Sequence, residues 1–209
     1  VISVSTNTPV LKGALSKAIR NRDSSVPLRF ADFSALSQPG IYRLVLDDGT
    51  ESPVFLIGEG TGVYREALEL TTWAMYLWRC GIAVHGEHNG NMFSHEACHL
   101  DDAYMDYVGK EGVILPTTGG WHDAGDYNKY VTNGAAALGP MLRAWEDFSG
   151  TLSDIELRIP EKGGALPDFL DEIKWKVEWM LKMQAEDGRV YHKVSTRNFG
   201  GFIMPEDED

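Results

Sequence analysis

Positive charge is scarce in this chain: nineteen lysines and arginines face thirty-one aspartates and glutamates, for a formal net charge of -12. That balance disfavours nucleic acid and anionic membrane surfaces as partners and is compatible with a neutral polymer. Long apolar runs are lacking as well, since no stretch approaches the roughly 18–20 residues of a membrane span, and no membrane partner is expected. An initiating methionine is missing, residue 1 being Val1, and no signal-like apolar segment precedes Ser3. Cysteine is limited to Cys80 and Cys98, which excludes a dense disulfide framework and leaves one bridge open. Apolar residues are plentiful: 43% of the 209 residues, with 11% aromatic, suffice for a buried core in one large or two small domains.

The chain changes character near residue 58. Ile41-Tyr42-Arg43-Leu44-Val45-Leu46 and Val54-Phe55-Leu56-Ile57 are β-rich runs flanking Asp47-Asp48-Gly49-Thr50, and Asp-Gly between such runs predicts a hairpin. From Gly62 the period becomes helical. Val63, Ala67, Leu70, Ala74 and Leu77 predict a first helix, closed by Arg79-Cys80-Gly81. A second is expected from about Asn133 through Phe148, carrying Leu138, Met141, Leu142 and Trp145, with a bend at Gly139-Pro140. A third opens with Pro167 in its first helical position and carries the apolar stripe Phe169, Leu170, Ile173, Val177, Met180 and Leu181. Trp73, Trp78, Trp175 and Trp179 fall on these helices and are assigned to the core. His85, His88 and His95 are read as members of a polar loop, solvated or facing substrate.

The densest chemistry lies in Gly119-Gly120-Trp121-His122-Asp123-Ala124-Gly125-Asp126-Tyr127-Asn128-Lys129-Tyr130. Asp123 and Asp126 are spaced so that one turn aims both carboxylates at a shared water. Ala124 and Gly125 between them leave room for that water and for a substrate to approach the backbone. A bare Asp-x-x-Asp reads first as a glycine-rich turn with solvated aspartates. Read whole, however, Gly-Gly-Trp-x-Asp-Ala-Gly-Asp-Tyr-x-Lys-Tyr resembles the active-site signature of glycoside hydrolase family 9, the inverting cellulases. Arg79-Cys80-Gly81, Ala97-Cys98-His99, Leu166-Pro167-Asp168-Phe169-Leu170-Asp171-Glu172-Ile173 and Val190-Tyr191-His192-Lys193-Val194 agree with the same family.

The resemblance implies a mainly α fold, a partial (α/α)6 barrel over residues 59–209. Phe30 to Ser34 and Gln38 to Tyr42 resemble the end of the immunoglobulin-like module that precedes the barrel in one subgroup, so residues 1–58 are expected to hold the last strands of such a β-sandwich. It further implies hydrolysis of β-1,4-glucosidic bonds with inversion, Asp126 as general base and Asp123 positioning the attacking water. An inverting site needs its acid and base about 6.5–9.5 Å apart, with sugar and water between them, so a third carboxyl is required. The family supplies it as a downstream glutamate. The chain is therefore expected to be a fragment truncated at both ends, inactive alone, whose partners are a β-glucan or cello-oligosaccharide and the C-terminal half of its own barrel. An exo-acting β-glucosidase or glucosaminidase of the same family, and a non-catalytic zinc-stabilised carbohydrate-binding protein, are the alternatives. Secretion is expected, with any signal upstream of Val1.

Trp121, Tyr127 and Tyr130 are candidate sugar platforms, because an aromatic face stacks on a pyranose. Trp121 could equally pack its own loop. His192 is a candidate sugar hydrogen-bonder or a plain surface histidine. Some family members carry a structural zinc, and Cys80, Cys98, His99 and His122 form a Cys2His2 set with the right ligand types; the competing readings are a disulfide for the cysteines and a cleft position for His122. Calcium occurs in some relatives, and Asp101, Asp102 and Asp106 form an acidic cluster, but their spacing is not that of an EF-hand loop and a solvated face is the expectation.

Overall fold

The computed structural model describes residues 1–60, 62–101, 103–198 and 203–208; Asp102 of the acidic cluster lies outside them. The chain forms two compact units, Val1–Glu66 and Ala67–Asp209. In the first, β1 (Ile2–Ser3), β2 (Gly40–Arg43) and β3 (Phe55–Ile57) make an antiparallel three-stranded sheet in that order. The predicted hairpin is therefore present with shorter strands. Its turn closes through Leu46 N–H to the Thr50 carbonyl, with Gly49 at φ +86°. Tyr42 is the buried residue of β2, against Phe55, and its hydroxyl donates to the Gln38 carbonyl at 2.9 Å. Pairing of the N-terminal residues with β2 is an addition to the sequence reading, and most of this unit is irregular.

The second unit is organised by three α-helices among the described residues. Helix α1 (Arg65–Leu77) opens with Glu66 near its positive end. Its buried face is Thr72, Trp73 and Tyr76, not the stripe through Val63 and Ala67: Val63 precedes the helix and Ala67 is exposed. The larger aromatic rings, rather than the smaller aliphatic residues, turn inward. Next come the hairpins β4 (Val84–His88) with β5 (Asn91–His95) and β6 (Ala103–Tyr104) with β7 (Ile114–Leu115). Asn89 and Gly90 join the first pair with φ of +50° and +75°, the backbone an Asn-Gly two-residue turn adopts. The expected polar loop around His85, His88 and His95 is thus a β-hairpin, and His95 is buried rather than solvated.

After β8 (Lys129–Tyr130), helix α2 runs Val131–Leu152 and α3 runs Asp168–Lys182; β9 (Lys193–Val194) returns to pair with β8. The break in α2 falls at Phe148 (φ −135°, ψ 28°) and not at Pro140, which sits on an exposed face within a continuous helix. Leu142 and Leu181, expected among the apolar residues of the second and third helices, are exposed, as is Phe148. Pro167 is the residue before α3 rather than its first member, with ψ 139°. The core gathers Trp73, Tyr76, Val84, Trp121, Leu138, Phe169 and Ile173 with Leu152 at the end of α2 and Ile155, Leu157 and Ile159 after it.

Arg79 sits at the centre of this packing, with none of its side chain exposed. It forms two nitrogen-oxygen contacts to Glu172 of α3, Nη2 to Oε2 at 3.0 Å and Nε to Oε1 at 3.3 Å, and a third to Glu161 at 2.8 Å. Its guanidinium lies 4.5 Å from the Trp175 ring centroid. Burial favours a neutral Glu172 and pushes its pKa up, while Arg79 and the Trp121 indole oppose that shift. Arg79→Met should cost about 3–5 kcal/mol in urea unfolding by leaving Glu172 buried and unpaired. The double variant Arg79→Met/Glu172→Gln should recover part of that loss, since the amide still accepts from Trp121.

Candidate active site and metal-ligand cluster

The glycine-rich strip before the two aspartates is held by backbone pairing with the end of α1. Cys80 N–H donates to the Gly120 carbonyl and His122 N–H to the Trp78 carbonyl, each at 2.8 Å, around an antiparallel bridge between Arg79 and Trp121. Gly120 has φ +79°, and a Cβ there would lie 2.7 Å from Trp179 Cγ. Gly81 has φ +87°, and a Cβ there would lie 2.9 Å from Gly119 N. Both positions require glycine. The outward carbonyls of this strip are taken up by side chains. Trp179 Nε1 donates to Thr117 O at 3.1 Å, Trp175 Nε1 to Gly120 O at 2.9 Å and Lys182 Nζ to Thr118 O at 2.8 Å. Lys129 Nζ donates to Thr117 O at 2.7 Å and Gly119 O at 3.0 Å.

This framework fixes the two aspartates differently. Asp123 is exposed; its N–H donates to the Asn128 carbonyl at 2.8 Å, and its Oδ1 accepts from Asn133 Nδ2 at 2.8 Å. Asp126 is half-buried, and its Oδ2 accepts from Asn128 Nδ2 at 3.0 Å and Tyr130 Oη at 3.1 Å. Its Oδ1 is buried with no hydrogen-bond partner among the described residues. Burial, reinforced by the Asp126 carboxylate, raises the Tyr130 pKa, so this hydroxyl remains a donor. Asn128 is itself buried and fixed by the Thr196 N–H on its Oδ1 at 3.0 Å.

Of the candidate platforms, Trp121 is buried and packs the loop, its Nε1 donating to Glu172 Oε1 at 2.7 Å. Tyr127, at φ +48°, packs edge-on against His122 with centroids 5.2 Å apart. The exposed His192 lies edge-on to Tyr130 at 6.1 Å. Trp78, assigned to the core, instead is 38% exposed, because it follows the last residue of α1 at the rim of a cavity of about 320 Å³. That cavity is lined by Trp78, Trp121, His122, Asp123, Tyr130 and Asn133, and Lys176 forms part of its wall.

On the other side of His122, Cys80, Cys98, His99 and His122 bring one ligand atom each within 4.8 Å of one another. Cys80 Sγ lies 3.5 Å from His99 Nδ1, and Cys98 Sγ 3.4 Å from His122 Nε2. A tetrahedral ion with bonds of about 2.0–2.3 Å has ligand-to-ligand edges of about 3.5 Å, so the donor set fits zinc. Both cysteines are free thiols. Within the pair, the Cys98 hydrogen bond pulls the Cys80 pKa far down, and sharing that bond pushes Cys98 up. The Cys80 interaction raises His99, whereas burial lowers His122. His95 packs on His122 at 5.5 Å. No second cluster of metal-ligand type occurs among the described residues; Asp106 is ion-paired with Arg197 at 2.8 Å and Asp101 is exposed.

The glycosyl hydrolase family 9 model matches residues 64–208. The chain belongs to that family. It is 46% identical over 203 residues to endoglucanase D of Acetivibrio thermocellus, covering 96% of this chain and 32% of that protein. A xyloglucan-specific endo-β-1,4-glucanase of Bacteroides ovatus is 34% identical over 184 residues, covering 84% of this chain and 30% of the relative. Among solved structures, the family 9 endoglucanase J30 superposes with a TM-score of 0.85 at 33% identity, over 99% of this chain and 39% of that one. A zinc-binding triple mutant of J30 gives the same TM-score at 34% identity, again over 99% of this chain and 39% of that one. The family 9 chain described here thus spans about a third of the length of the curated relatives it matches.

Asn128, Asn133, Lys129 and Lys176 were absent from the sequence-derived site. Asn128 and Lys129 stand inside the signature, so their burial was the missing information. Lys176 is held where a side chain on Gly134 of α2 would collide with it, and its Nζ lies 4.1 Å from the Trp179 ring centroid. Burial, aided by the nearby Lys129 charge, pulls its pKa down to about 8. The unfolded chain therefore binds more protons than the folded one between about pH 8 and the ordinary lysine value of 10.5. Stability should rise with pH across that window, by up to about 3 kcal/mol. Lys176→Met should flatten this rise in thermal unfolding measured from pH 7 to 10.5.

Proposed function

We propose that the protein hydrolyses β-1,4-glucosidic bonds of cellulose or a related β-glucan by inversion, with Asp126 as general base. The observation that carries this reading is the asymmetry of the Asp126 carboxylate. Oδ2 is tied by Asn128 and Tyr130, which leaves Oδ1, buried and without a partner among the described residues, as the oxygen with unused lone pairs for a base to accept with. Asp123, exposed and oriented by Asn133, is assigned the positioning of the attacking water. The activities in the relatives' names, endoglucanase and xyloglucan-specific endo-β-1,4-glucanase, support an endo-acting enzyme, and the acidic balance of the chain suits a neutral polymer. A polymer too large to enter a cell supports action outside it.

The general acid is assigned to a glutamate outside these 209 residues, in the sequence that relatives about three times as long possess. Residues 59–209 are taken as part of an (α/α)6 barrel, supported by the superposition on family 9 structures. Residues 1–58 are taken as the end of an immunoglobulin-like module, supported by the antiparallel β1-β2-β3 sheet. Tyr127, Tyr130 and His192 remain the proposed sugar contacts; Trp121 supports the floor of the cleft from beneath. Cys80, Cys98, His99 and His122 would hold zinc, which supplies a structural cross-link and no open catalytic position. In that arrangement His122 fixes the backbone next to Asp123.

Asp126→Asn in the intact protein should reduce turnover of a soluble β-glucan by about 10²–10⁴-fold while cello-oligosaccharide affinity changes little; turnover near wild type would refute the base assignment. Cys80→Ser should lower bound zinc from about one per chain, the stoichiometry of a closed four-ligand site. Equally low zinc in both proteins, read by elemental analysis, would refute the metal assignment.

A further inference from the structure

Glu208 touches the metal-ligand cluster from a segment remote in sequence. Its Oε2 lies 3.1 Å from His99 Nε2 across a separation of 109 residues, and only 4% of its side chain is exposed. The segment that delivers it is a turn of 3-10 helix, Pro205–Asp207, with Pro205 buried and Asp207 N–H bonded to the Met204 carbonyl at 3.1 Å. The carboxylate therefore reaches His99 from a seated backbone.

His99 itself is held unusually. Cys98 and His99 are consecutive, and on extended backbone consecutive side chains point to opposite sides. Here both reach one cluster, and His99 has φ +48°, a left-handed conformation uncommon outside glycine. That backbone brings Nδ1, the ring nitrogen nearer the main chain, to 3.5 Å from Cys80 Sγ, while Nε2 points away to Glu208. His122 presents the opposite nitrogen, Nε2, to the cluster. An imidazole can donate through one nitrogen and offer a lone pair through the other, so the partner of the outer nitrogen selects the one left for a metal.

We propose that Glu208 is a positioning residue for the metal site: by accepting the Nε2 hydrogen of His99 it presents Nδ1 to the ion and ties residues 204–208 to the Cys80, Cys98 and His122 ligands. The inference rests on the zinc assignment above. It implies that metal affinity depends on a carboxylate that is not itself a ligand.

The test compares wild type, Glu208→Ala, Glu208→Asp, Glu208→Gln and the exposed control Asp207→Ala, all in the intact protein. Zinc affinity is measured by chelator competition and ligand geometry by the visible spectrum of the cobalt(II)-loaded protein. Glu208→Ala should weaken zinc binding about 10–100-fold and shift the cobalt bands. Glu208→Asp, which keeps the charge but shortens the reach, should resemble Ala. Glu208→Gln, which keeps an acceptor at the same reach, should lie within about threefold of wild type, and Asp207→Ala should match it; a closed site keeps both proteins at one metal per chain. Rescue by Gln but not Asp would identify a positioned hydrogen bond rather than charge or general destabilisation. If Glu208→Ala binds zinc as tightly as wild type with unchanged cobalt bands, the proposal is overturned while the zinc site stands. If wild type binds no zinc, the zinc assignment itself fails.

Discussion

A backbone strip that folds with its carbonyls facing outward must find donors for them, and the rest of the second unit is arranged around that need. Thr117 to Trp121 contains two successive glycines at positive φ and forms no helix of its own. Its carbonyl oxygens are met by Trp175, Lys176, Trp179 and Lys182 from α3 and by Lys129 from β8. A buried unpaired carbonyl costs about 1–3 kcal/mol, so several together would open the strip. The aromatic and basic residues on the inner side of α3 consequently act as hydrogen-bond donors as well as packing, and the buried Arg79 and Glu172 pair keeps that helix against the end of α1.

From this strip the chain passes directly into two sites. His122 belongs to the cysteine and histidine cluster, and Asp123, the next residue, faces the cavity. One segment thus contributes neighbouring residues to a ligand cluster and to the cavity wall, which His122 and Asp123 both line. Asp126 is then oriented through a short chain of amides, Thr196 to Asn128 to Asp126.

Much of this was legible in the sequence. The signature strip, the four metal-type ligands and the third helix were located because their residue types are specific or their apolar period is clean. The remainder depended on contacts that composition hides. Glu172 and Lys176 lie on the buried face of α3, yet acidic and basic residues at such positions read as a solvent face until Arg79, Trp121 and Trp179 are known to surround them. The β4-β5 hairpin had a local signal in Asn89-Gly90, obscured by flanking histidines that resemble a loop. Trp78 was misplaced because periodicity was carried one step past the last turn of α1. Glu208 lacked any local signal, since its partner His99 is distant along the chain.

The capture of the strip by α3 also sets an order of events. The donors at residues 175, 176 and 179 lie 55 to 62 positions after the carbonyls they serve, so a growing chain makes the signature strip well before the means of holding it. Long loops close slowly and late contacts gate the structures that need them. Until α3 docks, those carbonyls have only Cys80 and Lys129 as donors. The strip is fully held only once α3 exists, although its own residues come early.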